Sequence, residues 1–212
     1  MQKLFHKVIT EMSINDFDFF FIQIGAKDGK RLDPIYKYVT RYKWRGVLVE
    51  PVSIWFDRLL KTYKDYPKLK FKNVAICDED EEKQFYKVRS DNWYLRIIGG
   101  SLSSFSLETI LKHAWRPGLR SNIVKTTISC MSLESLIREY DIKKINLLVV
   151  DTEGYDFNIL KQIDFVKIKP MSVFYEHKHL SDIDKQKAES MFLEHGYQVK
   201  IGVWNTFVYP VN

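Results

Sequence analysis

Short apolar runs that alternate with helical segments constrain the fold of this chain more than any other feature of its sequence. Phe19–Ile24, FFFIQI, is such a run, and Gly46–Val49 and Ile145–Val150 repeat the pattern. Continuous apolarity of this kind is typical of strands that are buried on both faces of a sheet. Because a helical segment follows each run, the pattern predicts βαβ units and therefore a parallel sheet.

The remaining segments extend this pattern and close it. The chain ends in GYQVKIGVWNTFVYP, which we interpret as two strands joined around Gly202. So short a connection requires those two strands to be antiparallel. Further strands are predicted at Leu69–Ile76, Gln84–Val88, Lys125–Cys130 and Ser172–Tyr175. Helices are predicted near the N-terminus and at Asp33–Arg41, Ser53–Tyr63, Ser132–Tyr140, Asp156–Ile163 and Asp182–His195.

The segment Ser90–Ser121 departs from the regular pattern. It is rich in Gly, Ser, Trp and Tyr, and it contains one predicted helix at Leu107–Ala114. A structureless loop of this length is unusual inside a domain, so we expect an insertion that binds substrate or acts as a lid over 90–121. No repeat or linker divides the remainder, and 212 residues suit one domain, so a single domain over 1–212 is predicted.

Charge and cysteine content indicate the class of protein less clearly than the pattern of strands and helices does. The net charge is +6, but acidic residues such as the run Asp78–Glu82 interrupt the lysines and arginines. A solvated surface is therefore favoured, and an acidic partner such as nucleic acid stays open. Cys77 and Cys130 are too few for a disulfide framework, so reduced thiols in a cytoplasmic protein are expected. No apolar stretch reaches the roughly 18 to 20 residues of a membrane span, and the N-terminus does not resemble a signal peptide.

The turn Gly25–Gly29 directly follows the first predicted strand. Glycines at such a turn allow the backbone to approach a ligand closely, and a following helix offers free amide groups. Glu50 ends the next strand, where a carboxylate can accept hydrogen bonds from both hydroxyls of a ribose. Together these features predict a cofactor that contains a nucleoside. The GxGxxG spacing of a dinucleotide site and the Walker sequence are both absent from this turn.

Six motifs in order resemble those of the FkbM-type methyltransferase family. They are FIQIGAKDG, GVLVEPVS, FKNVAICD, the pair Ser103-Ser104, VVDTEGYDFNIL and PMSVFYEH. The resemblance covers roughly Phe19 to Tyr209. It implies a class I, Rossmann-like fold, with a mostly parallel seven-stranded sheet, an antiparallel strand in the C-terminal hairpin and helices on both faces. It also implies S-adenosylmethionine as the methyl donor and, usually, a hydroxyl oxygen as the acceptor.

The resemblance further implies which residues hold the cofactor. The turn at Gly25 would surround its methionine part, Glu50 would hold the ribose, and the segment at Val74 would line the adenine. Gln23 is a departure, since many methyltransferases carry an aspartate there, although a glutamine also forms hydrogen bonds. The full set of cofactor positions is Gln23, Gly25, Ala26, Asp28, Gly29, Glu50, Pro51, Val52, Asn73, Val74, Ala75 and Asp151.

Residues for the chemistry are expected at the carboxyl ends of the later strands, where open α/β sheets bind ligands. Transfer to a hydroxyl benefits from a general base within hydrogen-bond reach. The predicted catalytic residues are Asp151, Glu153, Glu176 and His177. With His179, the last two could instead bind a metal, but His-x-His plus one carboxylate is a loose pattern, and no metal is assigned. Asp156 is expected to cap the next helix instead.

Three functions are compatible with these residues. An O-methyltransferase that acts on a sugar, a glycoconjugate or another small molecule is favoured. Ribose 2′-O-methylation of RNA is an alternative that would draw on the basic charge and on the aromatic residues of Ser90–Ser121. A non-catalytic module that keeps the fold is the third, although the intact turn and Glu50 argue against a lost cofactor site. The sequence leaves the acceptor and the oligomeric state open.

Overall fold

Two sheets organise the chain in the computed structural model, which describes residues 1–89, 102–113 and 117–210. The helices of the described residues are α1 (Gln2–Asn15), α2 (Tyr36–Tyr42), α3 (Ser53–Thr62), α4 (Leu107–His113), α5 (Leu133–Glu139), α6 (Asp156–Leu160) and α7 (Asp182–Glu194). The strands are β1 (Phe20–Ile24), β2 (Arg45–Val49), β3 (Leu69–Lys72), β4 (Ala75–Ile76), β5 (Glu82–Val88), β6 (Ser103–Ser104), β7 (Ile123–Met131), β8 (Leu147–Val150), β9 (Ser172–Glu176), β10 (Tyr197–Ile201) and β11 (Asn205–Pro210).

The larger sheet has seven strands in the order β10-β11-β9-β8-β1-β2-β3. The five strands from β9 to β3 are parallel to one another, whereas β11 runs antiparallel to both β9 and β10. The mostly parallel seven-stranded sheet with an antiparallel strand in its C-terminal hairpin is therefore confirmed. The first strand of the chain, β1, lies inside the sheet, because later strands are added on both sides of it.

Side chains of the central strands alternate between two apolar layers, since successive residues of a strand point to opposite faces. Ile22 and Ile24 lie in the layer that α5, α6 and α7 cover. Phe19 and Phe21 lie in the layer that α1, α2 and α3 cover. Cover on both faces explains why these strands are apolar throughout. It also leaves the carboxyl ends of the strands as the edge at which polar side chains collect.

The prediction of one strand over Leu69–Ile76 is wrong, because this segment is divided between the two sheets. Its first part, β3, pairs with β2, while β4 pairs with β7 in a smaller sheet of order β4-β7-β5-β6. The break falls at Asn73, whose Nδ2 donates to the backbone carbonyl of Glu50 over 2.7 Å. This hydrogen bond anchors the bend to the end of β2, and β4 leaves from there towards the smaller sheet.

The segment Ser90–Ser121 is described only in part, since residues 90–101 and 114–116 lie outside the described ranges. Helix α4 confirms the helix predicted at Leu107–Ala114. Strand β6 joins the smaller sheet, where Ser104 lies opposite Tyr86 of β5. The described part of this segment therefore extends the smaller sheet, and its role as a lid or substrate-binding insertion stays a prediction.

Cys77 and Cys130 form a disulfide that connects the end of β4 to β7. The parallel pairing of these strands places Ala75 opposite Cys130 and brings the two cysteine Cα atoms to 5.5 Å, within the range that a disulfide requires. The prediction of reduced thiols is therefore wrong, and the expected cytoplasmic location loses that support. Within the described ranges, none of the helices combines the length and the apolarity that a membrane crossing demands.

Candidate active site

A cavity opens between the two sheets at the carboxyl ends of β1, β2 and β8. The space between its lining atoms is about 520 Å³, a volume that includes open solvent. It is lined by Ile24, Gly25, Lys27, Glu50, Pro51, Trp55, Val74, Ala75, Ile76, Phe85, Ser103, Phe105, Asp151, Thr152, Glu153 and Tyr155. Its place at this edge of the sheet is where open α/β folds bind ligands.

The structure divides the predicted cofactor positions into two groups. Those that line the cavity are Gly25, Glu50, Pro51, Val74, Ala75 and Asp151. Those that do not line it are Gln23, Ala26, Asp28, Gly29, Val52 and Asn73. Gln23 is buried and donates from Nε2 to Asp33 Oδ2 over 2.7 Å. Asp28 closes its own turn by accepting from the backbone amides of Lys30 and Arg31. The cofactor role of the second group stays a prediction.

Gly25 is required by the approach of two backbone segments. It has a φ of +82°, and a Cβ added there would lie 1.8 Å from the carbonyl oxygen of Asp151. The amides of Gly25 and Ala26 both donate to the carbonyl of Val49, at 2.9 and 3.0 Å. Because Gly25 has no side chain, the carboxyl ends of β1, β2 and β8 are able to lie close together at this point. The nearest neighbour of Gly25 is the turn between β8 and α6 (Asp151–Tyr155, the β8 turn), and Gly25 also lines the cavity, so the approach to a ligand stays a prediction.

Glu50 is a buried carboxylate at the wall of the cavity, only 3% exposed. Its Oε2 accepts from the backbone amide of Lys27 over 2.8 Å, and its Oε1 accepts from the amide of Val52 over 2.9 Å. Burial raises the pKa of Glu50 to about 7, although both hydrogen bonds favour the ionised form. Each oxygen keeps a further lone pair, so the carboxylate is able to accept from a ligand as well.

Lys27 lies among the predicted catalytic carboxylates. Its Nζ is 3.1 Å from Glu153 Oε1 and 3.6 Å from Asp151 Oδ2. Burial opposes the charge of Lys27, but the neighbouring Asp151 and Glu153 outweigh it and raise the pKa. At Asp151, burial is the main cause of a raised pKa. Lys27 is not among the predicted site residues, and its place inside the glycine turn of GAKDG is the one indication of its role in the sequence.

Asp151 offers an atom with unused hydrogen-bonding capacity. Its Oδ1 is buried and has no hydrogen-bond partner among the described residues. The same side chain lines the cavity. A buried acceptor without a partner is costly, so this position suits a donor group on a bound ligand.

Glu153, Glu176 and His179 meet beside the cavity. The Nε2 of His179 is 3.3 Å from Glu153 Oε2 and 3.7 Å from Glu176 Oε2. Burial, followed by the charges of Asp151 and Glu153, raises the pKa of Glu176 to about 9. The structure therefore brings together Asp151, Glu153 and Glu176 of the predicted catalytic set, with His179 in place of His177.

His177 lies in a different environment from His179. Its Nδ1 forms a hydrogen bond of 2.8 Å with Thr206 Oγ1 of β11. Burial lowers the pKa of His177, and Lys185 of α7 lowers it further. Successive residues after a strand point in different directions, and the sequence pattern VFYEHKH does not show which histidine faces the cavity. The predicted catalytic role of His177 stays a prediction.

Asp156 holds the turn that presents Glu153. It is fully buried, and it accepts from the amides of Thr152 and Gly154 and from Thr152 Oγ1, at 3.3, 3.2 and 3.0 Å. Burial raises its pKa to about 7. We expected a cap of the following helix; the residue is the first of α6, and its carboxylate binds the preceding turn. Glu153 in that turn has a φ of +54°, a conformation that needs such support.

Aromatic side chains from both sheets close the cavity. The ring of Phe105 lies 5.0 Å from Phe85 and 4.8 Å from Tyr155, and Trp55 of α3 completes the lining. Phe105 belongs to the segment that we expected to shape the acceptor pocket. Other aromatic residues expected there, Trp93, Tyr94 and Trp115, lie outside the described residues. Apolar side chains therefore line the cavity between Glu50 and Glu153.

Comparison with known proteins adds to this geometry. Residues 23–199 match the family described as the methyltransferase FkbM domain. A methyltransferase FkbM from Methylobacillus flagellatus KT has a similar structure, with a TM-score of 0.53 at 16% identity. The match covers 91% of this chain and 43% of that one, so the chain spans less than half of that protein. A likeness at this identity shows a shared fold.

Other solved structures are more distant. A CurJ carbon methyltransferase has a TM-score of 0.47 at 9% identity, and the match covers 98% of this chain and 53% of that one. A SAM dependent methyltransferase from Aquifex aeolicus has a TM-score of 0.41 at 7% identity, over 96% of this chain and 87% of that one. No match is found among curated protein sequences.

Proposed function

Because the chain belongs to the FkbM methyltransferase family, we propose that it uses S-adenosylmethionine to methylate a hydroxyl oxygen of a sugar, a glycoconjugate or another small molecule. The observation that carries this proposal is the cavity between the two sheets. Buried Glu50 stands at its β2 wall, and the carboxylates of Asp151 and Glu153 stand at its β8 wall. One space therefore connects a group suited to a ribose with groups suited to a hydroxyl.

The residues present fit the proposed cofactor. Glu50 would accept hydrogen bonds from the ribose hydroxyls, with Val74, Ala75 and Trp55 against the adenine. The unpartnered Oδ1 of Asp151 would accept from a donor on the methionine part or on the acceptor. When bound, S-adenosylmethionine supplies a methyl group on a sulfonium that is already activated, so positioning contributes much of the rate.

The acidic side of the cavity supplies the groups that would act on the acceptor. Glu153 lines the cavity, and its Oε1 is held by Lys27 at 3.1 Å. Asp151 lies on the other side of the same ammonium, at 3.6 Å. This pair would orient the acceptor hydroxyl, and Asp151 Oδ1 would take its proton, beside the aromatic side chains of Phe85, Phe105 and Tyr155 that line the cavity.

A labelled-methyl transfer assay tests this function. The protein is incubated with S-adenosylmethionine carrying a labelled methyl group, and glycan, small-molecule and RNA extracts are supplied in separate reactions. We expect label in the glycan or small-molecule reaction, on an oxygen identified by mass spectrometry. Label in RNA alone would favour the ribose 2′-O alternative, and failure of S-adenosylmethionine to bind in calorimetry would overturn both.

A further inference from the structure

Beside the proposed methyl-transfer cavity, we propose that Glu153, Glu176 and His179 bind a divalent transition-metal ion. Each residue offers one ligand atom, and the three atoms lie within 4.8 Å of one another. The three side chains are 16%, 15% and 9% exposed, respectively. The cluster therefore lies below the surface, and Glu153 connects it to the cavity.

The distances from His179 to the two carboxylates are close to the edges of a coordination polyhedron, and the three ligand atoms all lie within 4.8 Å of one another. Atoms bound to one ion at about 2.1 Å are about 3.0 Å apart in octahedral geometry and about 3.4 Å apart in tetrahedral geometry. The observed separations from His179 Nε2 are 3.3 Å to Glu153 and 3.7 Å to Glu176. A small inward movement of the side chains would bring all three onto one ion.

Two features of the β8 turn bring these residues together. Glu153 adopts a left-handed backbone conformation, and its Oε2 lies 3.3 Å from His179 Nε2. Gly154 follows with a φ of +104°, and a Cβ added there would lie 3.3 Å from the Cβ of His179. The absence of a side chain at Gly154 thus allows His179 to pack over the turn and reach Glu153. The strain of the turn is held by the buried Asp156.

Lys27 provides the outer support that metal-binding carboxylates usually have. Its ammonium contacts Oε1 of Glu153, whereas Oε2 of the same carboxylate faces His179. One oxygen is therefore held in place while the other is presented for coordination. Ligating carboxylates in proteins are commonly fixed by such hydrogen bonds.

The ligand set indicates the class of ion. Two carboxylates suit hard divalent ions, and an imidazole adds affinity for first-row transition metals, so Mn²⁺ and Zn²⁺ fit better than Ca²⁺ or Mg²⁺. Three protein ligands leave coordination positions for water or an acceptor oxygen, as in catalytic metal sites. The ion would then polarise the acceptor hydroxyl. Only this last role rests on the proposed function, because binding itself requires neither cofactor nor acceptor.

Mn²⁺ binding to the chelator-treated protein tests the site. The loss of the free Mn²⁺ signal in electron paramagnetic resonance gives affinity and stoichiometry. We expect one ion per chain and at least tenfold weaker binding for both Glu176→Gln and His179→Asn. The control is Asp182→Asn, which removes a carboxylate that is 91% exposed at the start of α7 and is expected to leave the affinity unchanged.

A measurement on the unaltered protein guards against variants that fail to fold. Spin-echo modulation from an imidazole nitrogen on bound Mn²⁺ would identify a histidine ligand directly. Its absence, or wild-type Mn²⁺ affinity in a folded His179→Asn protein, would overturn the proposal. Mn²⁺ binding without S-adenosylmethionine binding would support the metal site while contradicting the proposed function, so the two failures are distinguishable.

Discussion

Burial of Glu50 disfavours the charged form of its carboxyl group. Its carboxylate is fully enclosed, and burial raises its pKa from 4.5 to about 7. The folded state therefore holds the proton more tightly than the unfolded state, and ionisation of Glu50 destabilises the fold. Two backbone hydrogen bonds to Lys27 and Val52 keep the side chain in place at the cavity wall.

The raised pKa of Glu50 predicts how the free energy of unfolding depends on pH. Stability from Glu50 is complete below pH 4.5 and falls as the pH rises towards about 7, a loss of about 3 kcal/mol at the upper limit. Urea unfolding at several pH values measures this change in the free energy of unfolding. The Glu50→Gln protein cannot ionise there, so its stability should fall less over that interval. Parallel curves for the two proteins would contradict the raised pKa.

The affinity for S-adenosylmethionine should also depend on the ionisation of Glu50. It should increase with pH, whereas the stability of the fold should decrease. Hydrogen bonds to a charged group contribute about 1.5–3 kcal/mol each, so Glu50→Gln is expected to weaken S-adenosylmethionine binding by about 10- to 100-fold. Wild-type affinity should rise between about pH 6 and about pH 8 as Glu50 ionises. Calorimetry measures both effects, with Asp57→Asn on the exposed side of α3 as the control. Unchanged affinity in Glu50→Gln would refute the ribose role.

Glu153 should affect turnover more than cofactor affinity. Loss of a group that assists proton transfer costs about 10²- to 10⁴-fold in rate, and Glu153 belongs to the pair that orients the acceptor hydroxyl, so Glu153→Gln is expected to lower kcat by about 10²-fold. The affinity for S-adenosylmethionine should change less than tenfold. Exposed Glu134→Gln on α5 is the matched control. Equal losses of rate and affinity would instead indicate that Glu153 binds the cofactor.

At the scale of elements, the turn between β8 and α6 depends on Asp156. Three hydrogen bonds to a buried carboxylate are lost in Asp156→Ala, which should destabilise the protein by about 3 kcal/mol or more. Turnover should fall as well, because the turn carries Glu153. Thr152→Val removes one of the three donors and is expected to cost about 1 kcal/mol. Denaturant unfolding compares the two, and equal stabilities would exclude a supporting role for Asp156.

The elements differ in how far the sequence predicts them. Strands β1, β2, β8 and β9 are buried on both faces, so their apolar runs identify them without knowledge of their partners. The smaller sheet has no such pattern, since β5 and β7 expose alternate residues and pair across a sequence distance that local rules do not reach. The division between β3 and β4 was missed because it depends on the hydrogen bond from Asn73 to Glu50.

At the scale of the whole molecule, the disulfide connects two distant parts of the chain. The sequence separation between Cys77 and Cys130 is 53 residues, and a loop of this length predicts a stabilisation of about 4 kcal/mol from chain entropy. Reduction should then lower the Tm by about 8–16 °C for a chain of this size. The Cys77→Ser, Cys130→Ser double variant should melt at the temperature of the reduced protein. A Tm unaffected by reductant would contradict the bridge.

The candidate site was predictable only where its residues belong to contiguous motifs. Glu50, Asp151 and Glu153 end apolar strands, so their place at one edge of the sheet follows from the parallel topology. Lys27 and His179 were not assigned, because their roles depend on how two turns pack against each other. Gly25 and Gly154 make that packing possible, and a sequence shows a glycine without showing its neighbour.

The cavity wall is assembled from positions as distant in the chain as Ile24 and Tyr155. During synthesis the segments around Gly25 and Glu50 leave the ribosome long before the β8 turn exists. A partly made chain would therefore lack the proposed cofactor site, and S-adenosylmethionine, if it is the ligand, would stabilise completed molecules alone. At a hundredfold excess over its Kd that contribution would reach about 2.7 kcal/mol, so a larger supply of the proposed cofactor would increase the share of newly made protein that stays folded.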